Sequence, residues 1–89
     1  MKWTVLWQPS AEQQLTNLWI LAKNKQSISF ASNQIDALLR TQPQEIGESR
    51  SGLERIFFYP PLSIIYEVVP DDIKVIVTYV YMPDNEGVA

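Results

Sequence analysis

The sequence predicts an α+β fold in the order β-α-α-β-β-β, a helical hairpin packed on one face of a mostly antiparallel four-stranded sheet. Three observations predict it. Two stretches in the first half carry apolar residues at helical spacing, and three stretches after Pro43 are dense in Ile, Val, Phe and Tyr. Pro60-Pro61 and Pro70-Asp71-Asp72 separate those three, and both are turn chemistry of the kind that joins antiparallel neighbours.

Each element follows in order. Trp3, Val5 and Trp7 alternate with Lys2, Thr4 and Gln8, the period-2 pattern of a half-buried strand, while Leu6 breaks strict alternation and implies cover on both faces. Pro9-Ser10 ends the strand. Ser10 with Gln13 fits a capping box, so the first helix is expected to open at Ser10, with Ala11, Leu15, Leu18, Trp19 and Ala22 along its apolar face. Asn24-Lys25-Gln26 reads as a break. A second helix is expected from Ser27 or Ser29, burying Ile28 or Phe30, Ala31, Ile35, Leu38 and Leu39, and stopping before Pro43. So short a link makes the two helices an antiparallel hairpin. Residues 53–59, 62–69 and 73–81 read as three strands, and the polar residues 84–89 as a frayed tail. Trp3, Trp7 and Trp19 are expected as core or helix-to-sheet contacts, and Lys74 as a solvent-facing partner of Asp71 or Asp72.

Composition narrows the chemistry. A chain of 89 residues, 46% hydrophobic and 19% charged, suits one domain over residues 1–89 with a modest core. It has no Cys, hence no disulfide and no thiolate metal site, and no His, hence neither the commonest general base nor the commonest zinc ligand. No metal and no cofactor is expected. Catalysis would have to run on carboxylates, Tyr, Lys, Arg or Ser. The start of the sequence lacks the apolar core of a secretory signal and nothing approaches a membrane span, so a cytoplasmic protein without membrane contact is expected. A net charge of −3 is opposite to that of a typical duplex nucleic-acid binder. With both helices on one face of the sheet, the other face stays open, and a partner or substrate would sit there.

The residues also resemble a known family. Trp7-x-Pro9-x-Ala11-Glu12 enters the first helix and Ile35-Asp36-x-Leu38-Leu39 lies in the second. Gly47-Glu48-Ser49-Arg50 follows, Arg55 opens a strand, and Pro61-Leu62-x-x-x-Tyr66-Glu67-Val68 forms the next. In that order, to about Tyr81, they resemble the RelE/ParE superfamily of toxins of type II toxin–antitoxin systems. The resemblance implies a toxin held inactive by a cognate antitoxin protein, in an oligomer formed with it. RelE-like members cleave messenger RNA on the ribosome, the reading that the clustering of Arg50, Arg55 and Glu48 in one loop-to-strand segment ranks slightly ahead; ParE-like members, the alternative, poison DNA gyrase. A non-catalytic antitoxin-binding module that has lost toxicity is the third reading.

Carried residue by residue, the resemblance implies a catalytic set of Arg55, Arg50, Glu48, Tyr81 and Tyr79. RNA cleavage through the 2′-hydroxyl needs a base, a cation to stabilise the phosphorane and an acid for the leaving oxygen. Arg50 and Arg55 would serve as cations, Glu48 as base, and Tyr79 or Tyr81 as the family's terminal aromatic. The arginine that the family carries early in its third strand falls at about Ser63, and the segment from Tyr79 to Pro83 contains no base. Against these roles, Arg50 and Arg55 could simply pair with Glu48 and Glu54 on the surface. Arg55 could face the open side or the sheet edge. Tyr66 reads as core, while Tyr79 and Tyr81, two residues apart, are both packed or both displayed.

Overall fold

A computed structural model describes residues 2–83; the expected fraying of residues 84–89 lies outside them. The sheet has five strands, β1 (Thr4–Trp7), β2 (Glu48–Ser51), β3 (Glu54–Tyr59), β4 (Leu62–Val69) and β5 (Lys74–Tyr81), in the order β1-β5-β4-β3-β2. The β2–β5 strands pair antiparallel, and β1 joins the edge of β5 in parallel. Four strands were expected, and the fifth is β2. Its sequence Glu-Ser-Arg-Ser has no apolar residue to announce a strand. Backbone pairing to β3, through a turn in which Gly52 takes φ 57°, makes it one.

Both helices, α1 (Pro9–Leu21) and α2 (Lys25–Thr41), cover one face of this sheet. Alternation in β4 places Leu62, Ile64, Tyr66 and Val68 beneath them, joined by Val75, Val77 and Val80 from β5. Ala11 of α1 and Ile28, Ala31, Ile35 and Leu39 of α2 close the same core, with Trp3 and Trp7 packed at its margin. Trp7 Nε1 donates to Asp36 at 3.1 Å, and Arg40 pairs with the other oxygen of that carboxylate at 2.7 Å. The end of β1 is thereby fixed to α2.

Two helix starts differ from expectation. α1 begins at Pro9, one residue before Ser10, and no side chain caps it; the fixed φ of proline suits the first helical turn, where its missing N–H costs nothing. α2 begins at Lys25, earlier than Ser27, because the Asn24 side chain accepts from the Ser27 N–H at 3.1 Å. Asn24→Ala should lower stability by about 1 kcal/mol, read as an earlier midpoint in urea at unchanged slope. Trp19 is not core: it is 41% exposed, donates to Ser29 Oγ at 3.1 Å and lies under the Lys25 ammonium, clasping the two helices. Phe30 is likewise exposed, with Ile28 taking the buried place, and Leu38 is only half-buried.

At the end of β1 the sheet edge is closed in an unusual way. β5 continues beyond Trp7, and its Val80 N–H is met by the Gln14 side chain of α1 at 2.8 Å. A helix side chain takes the place of the missing strand.

Candidate functional site

The face of the sheet turned away from the helices follows from the strand registers. One cross-strand row runs Glu48, Ile56, Ile65, Tyr79; the next runs Phe58, Ser63, Tyr81; on the other side lies Glu54, Glu67, Ile76, Leu6. Phe58 is 54% exposed, Leu6 47% and Tyr79 45%, so this face is open and largely apolar. Tyr79 and Tyr81 are displayed together, ring centroids 5.5 Å apart. Arg50, at the irregularity of β2, pairs with Glu54 at 3.6 Å.

Arg55 points the other way. It pairs in register with Tyr66, which is fully buried under the helices. Its guanidinium donates to the carbonyls of Ile46, at 3.2 Å from Nε and 3.0 Å from Nη2, and of Gly47 at 3.2 Å. The Tyr66 hydroxyl lies 2.9 Å from the Pro43 carbonyl and 3.0 Å from that of Ile46. Together they hold the loop between α2 and β2 against the sheet. Burial pushes the Tyr66 hydroxyl above its ordinary pKa, since a phenolate would be poorly solvated there, while the nearby Arg55 charge and hydrogen bond pull it down. Gly47 completes the device: its φ is 71°, and a Cβ there would stand 2.5 Å from the Ile56 carbonyl oxygen and 3.1 Å from the Tyr66 hydroxyl.

Of the five residues singled out in the sequence, the structure brings Tyr79 and Tyr81 together and puts Glu48 and Arg50 on the opposite margin of the same face. Glu48 shares a row with Tyr79, yet three strand spacings separate them, about 14 Å. Arg55 is engaged on the helix side.

All seven bases of the chain lie within the described residues. Lys25 donates to the carbonyls of Ile20 and Ala22, Arg40 pairs with Asp36, and Lys74 faces Asp72 at 3.8 Å. Lys23 lies in the turn between the helices and Lys2 precedes β1. The open face itself holds three glutamates, Glu48, Glu54 and Glu67, against Arg50 and Lys74. Among the described residues there is no group of carboxylates arranged to hold a metal ion.

One feature escaped the sequence. Beside Glu48 the open face sinks into a hollow of about 430 Å³, lined by Gly47, Glu48, Ile56, Phe57, Phe58 and Ser63. Ser63 is only 3% exposed, screened between Phe58 on β3 and Tyr81 on β5. A serine in an apolar strand was a signal, but its burial depends on cross-strand neighbours that sequence order does not reveal.

The architecture has counterparts among solved structures. The RelBE2 toxin–antitoxin complex from Mycobacterium tuberculosis superposes with a TM-score of 0.77 at 14% identity, over 93% of this chain and 100% of the other. The chain has the RelE/ParE fold. The chromosomal ParDE system from P. aeruginosa gives a TM-score of 0.70 at 14% identity, covering 93% of this chain and 98% of that one. The isolated E. coli RelE toxin gives 0.69 at 11% identity, covering 96% and 88%. No family model and no curated protein matches the sequence. The RelE/ParE fold is thus reached here by a sequence only 11–14% identical to those of these three structures. No helix among the described residues is long and apolar enough to cross a membrane.

Proposed function

We propose that the chain is the toxin-fold component of a type II toxin–antitoxin pair, acting in the cytoplasm by contact of its open sheet face with a protein target, and restrained by a cognate antitoxin. The observation that carries this reading is the placement of charge. Cleaving RNA builds extra negative charge on a phosphorane, and catalysis needs cations aimed at it. Here Arg55 serves the loop on the helix side, Arg50 and Lys74 each face a carboxylate, and Glu48, Glu54 and Glu67 share the open face. Such a face repels a polyanion and offers a protein aromatic and aliphatic contact. Of the two modes that the family resemblance implies, this favours the gyrase-directed one over messenger RNA cleavage on the ribosome.

The test is expression of the chain with and without the small protein encoded beside it. Unopposed expression should arrest growth with gyrase-dependent DNA breaks and intact messenger RNA, and co-expression should give a stable complex on size exclusion. Messenger RNA cleavage would overturn the protein-target reading. Normal growth would make the chain the non-toxic binding module.

A further inference from the structure

The hollow beside Glu48 has the features of a receptor for one kind of side chain. Ser63, only 3% exposed, lines it, and the Ser63 hydroxyl has no hydrogen-bond partner among the described residues. A buried polar group without a partner costs free energy, so a bound group that supplied the bond would gain it. Its rim is the Glu48 carboxylate, exposed and without an ion pair among the described residues, since Arg50 turns to Glu54 and Arg55 to backbone carbonyls. Its walls are Ile56 and the half-exposed ring of Phe58. The surrounding face adds Glu54 and Glu67, directly opposite each other across β3 and β4, with Arg50 paired to Glu54.

We propose that this hollow receives an arginine side chain from an extended segment of a protein partner. An arginine matches every part of it. The aliphatic stem lies along Ile56, the planar guanidinium stacks on Phe58, and its forked donors reach the Glu48 carboxylate and the Ser63 hydroxyl together. Lysine, with a compact charge and no flat face, satisfies fewer of these contacts at once. A volume of 430 Å³ accommodates the side chain with part of its flanking backbone. The excess of carboxylates on the face selects a basic partner segment and disfavours an acidic one. The inference rests on reading the open face as a contact surface, and it names the chemistry of what that surface takes.

The experiment uses the full chain, isotopically labelled and free of any antitoxin, titrated by NMR with the peptide acetyl-Gly-Val-Arg-Val-Gly-amide and with its citrulline counterpart, which keeps the shape and loses the charge. The arginine peptide should shift the amides of Glu48, Ile56, Phe58 and Ser63 saturably, and more weakly as salt rises. The citrulline peptide and the Glu48→Gln protein should each bind about tenfold more weakly, and Ser63→Ala about threefold. Unmoved amides at about 10 mM peptide, equal binding of the citrulline peptide, or unchanged affinity in Glu48→Gln would overturn the assignment. Growth arrest that persists when the peptide does not bind would leave the toxin reading standing and the hollow reading fallen. Binding by a chain that leaves growth normal would do the reverse.

Discussion

Gly47→Ala is expected to be the most damaging single substitution of a surface-loop residue in this protein, lowering stability by about 2–5 kcal/mol. Two costs add. An alanine at φ 71° pays about 1–2 kcal/mol for its left-handed backbone. Its Cβ would also stand 2.5 Å from the Ile56 carbonyl oxygen, and that atom belongs to a strand that cannot swing aside. Relieving the clash means shifting β3 or the loop, at about 1–3 kcal/mol. For a domain of this size the melting temperature should fall by roughly 10–30 °C. Gly52→Ala is the control. Gly52 shares the positive φ, at 57°, but nothing lies within 4 Å of its Cβ position, so only the first cost applies. Equal melting of the two variants would show that the packing at Gly47 does not matter.

Arg55→Ala should cost about 2–3 kcal/mol of stability, in contrast to the near-zero cost of an exposed arginine. It removes donors from the Ile46 and Gly47 carbonyls, charge-assisted bonds that hold the loop to β3. Tyr66→Phe should cost about 1–2 kcal/mol by removing the hydroxyl from Pro43 and Ile46. Both residues serve the Ile46 carbonyl, so the double variant should lose less than the two single losses combined, and strict additivity in a denaturation cycle would refute the shared role. The sign of the pH effect follows from burial. The folded-state pKa of Tyr66 is raised above its unfolded value near 10, so its contribution is fully present below pH 10 and is lost as pH rises through the folded value. Wild type should therefore lose stability more steeply than Tyr66→Phe in that alkaline window.

How much of this was legible in the sequence differs by element. Strands β3, β4 and β5 announced themselves through runs of branched and aromatic residues, and both helices through their spacing, because burial writes a period into the chain. β2 wrote none. Its residues are exposed, and it is a strand because β3 offers a free edge next to a glycine turn. The pairing of Tyr79 with Tyr81 followed from alternation alone, whereas the direction of Arg55 did not. That direction is fixed by its register with Tyr66, a relation between two strands that neither strand carries by itself. The same holds for Ser63, whose burial comes from Phe58 and Tyr81 on either side.

The parallel pairing of β1 with β5 has a consequence for the order in which the protein comes into being. Val5 faces Val75, so the first strand waits for a partner 70 residues further along the chain. Closing such a loop costs about 4 kcal/mol in chain entropy beyond a constant, offset in part by the bonds that tie β1 to α2. During synthesis at about 5–20 residues per second, β1 and the helical hairpin exist for several seconds without the strand that joins them. β5 also supplies Tyr79 and Tyr81 and borders Ser63, so the open face is assembled only when the last strand arrives. A chain interrupted before Lys74 would hold both helices and most of the sheet, yet present neither a closed core nor a contact surface. Whatever this protein does to a partner through its open face, it can do only once β5 has been made.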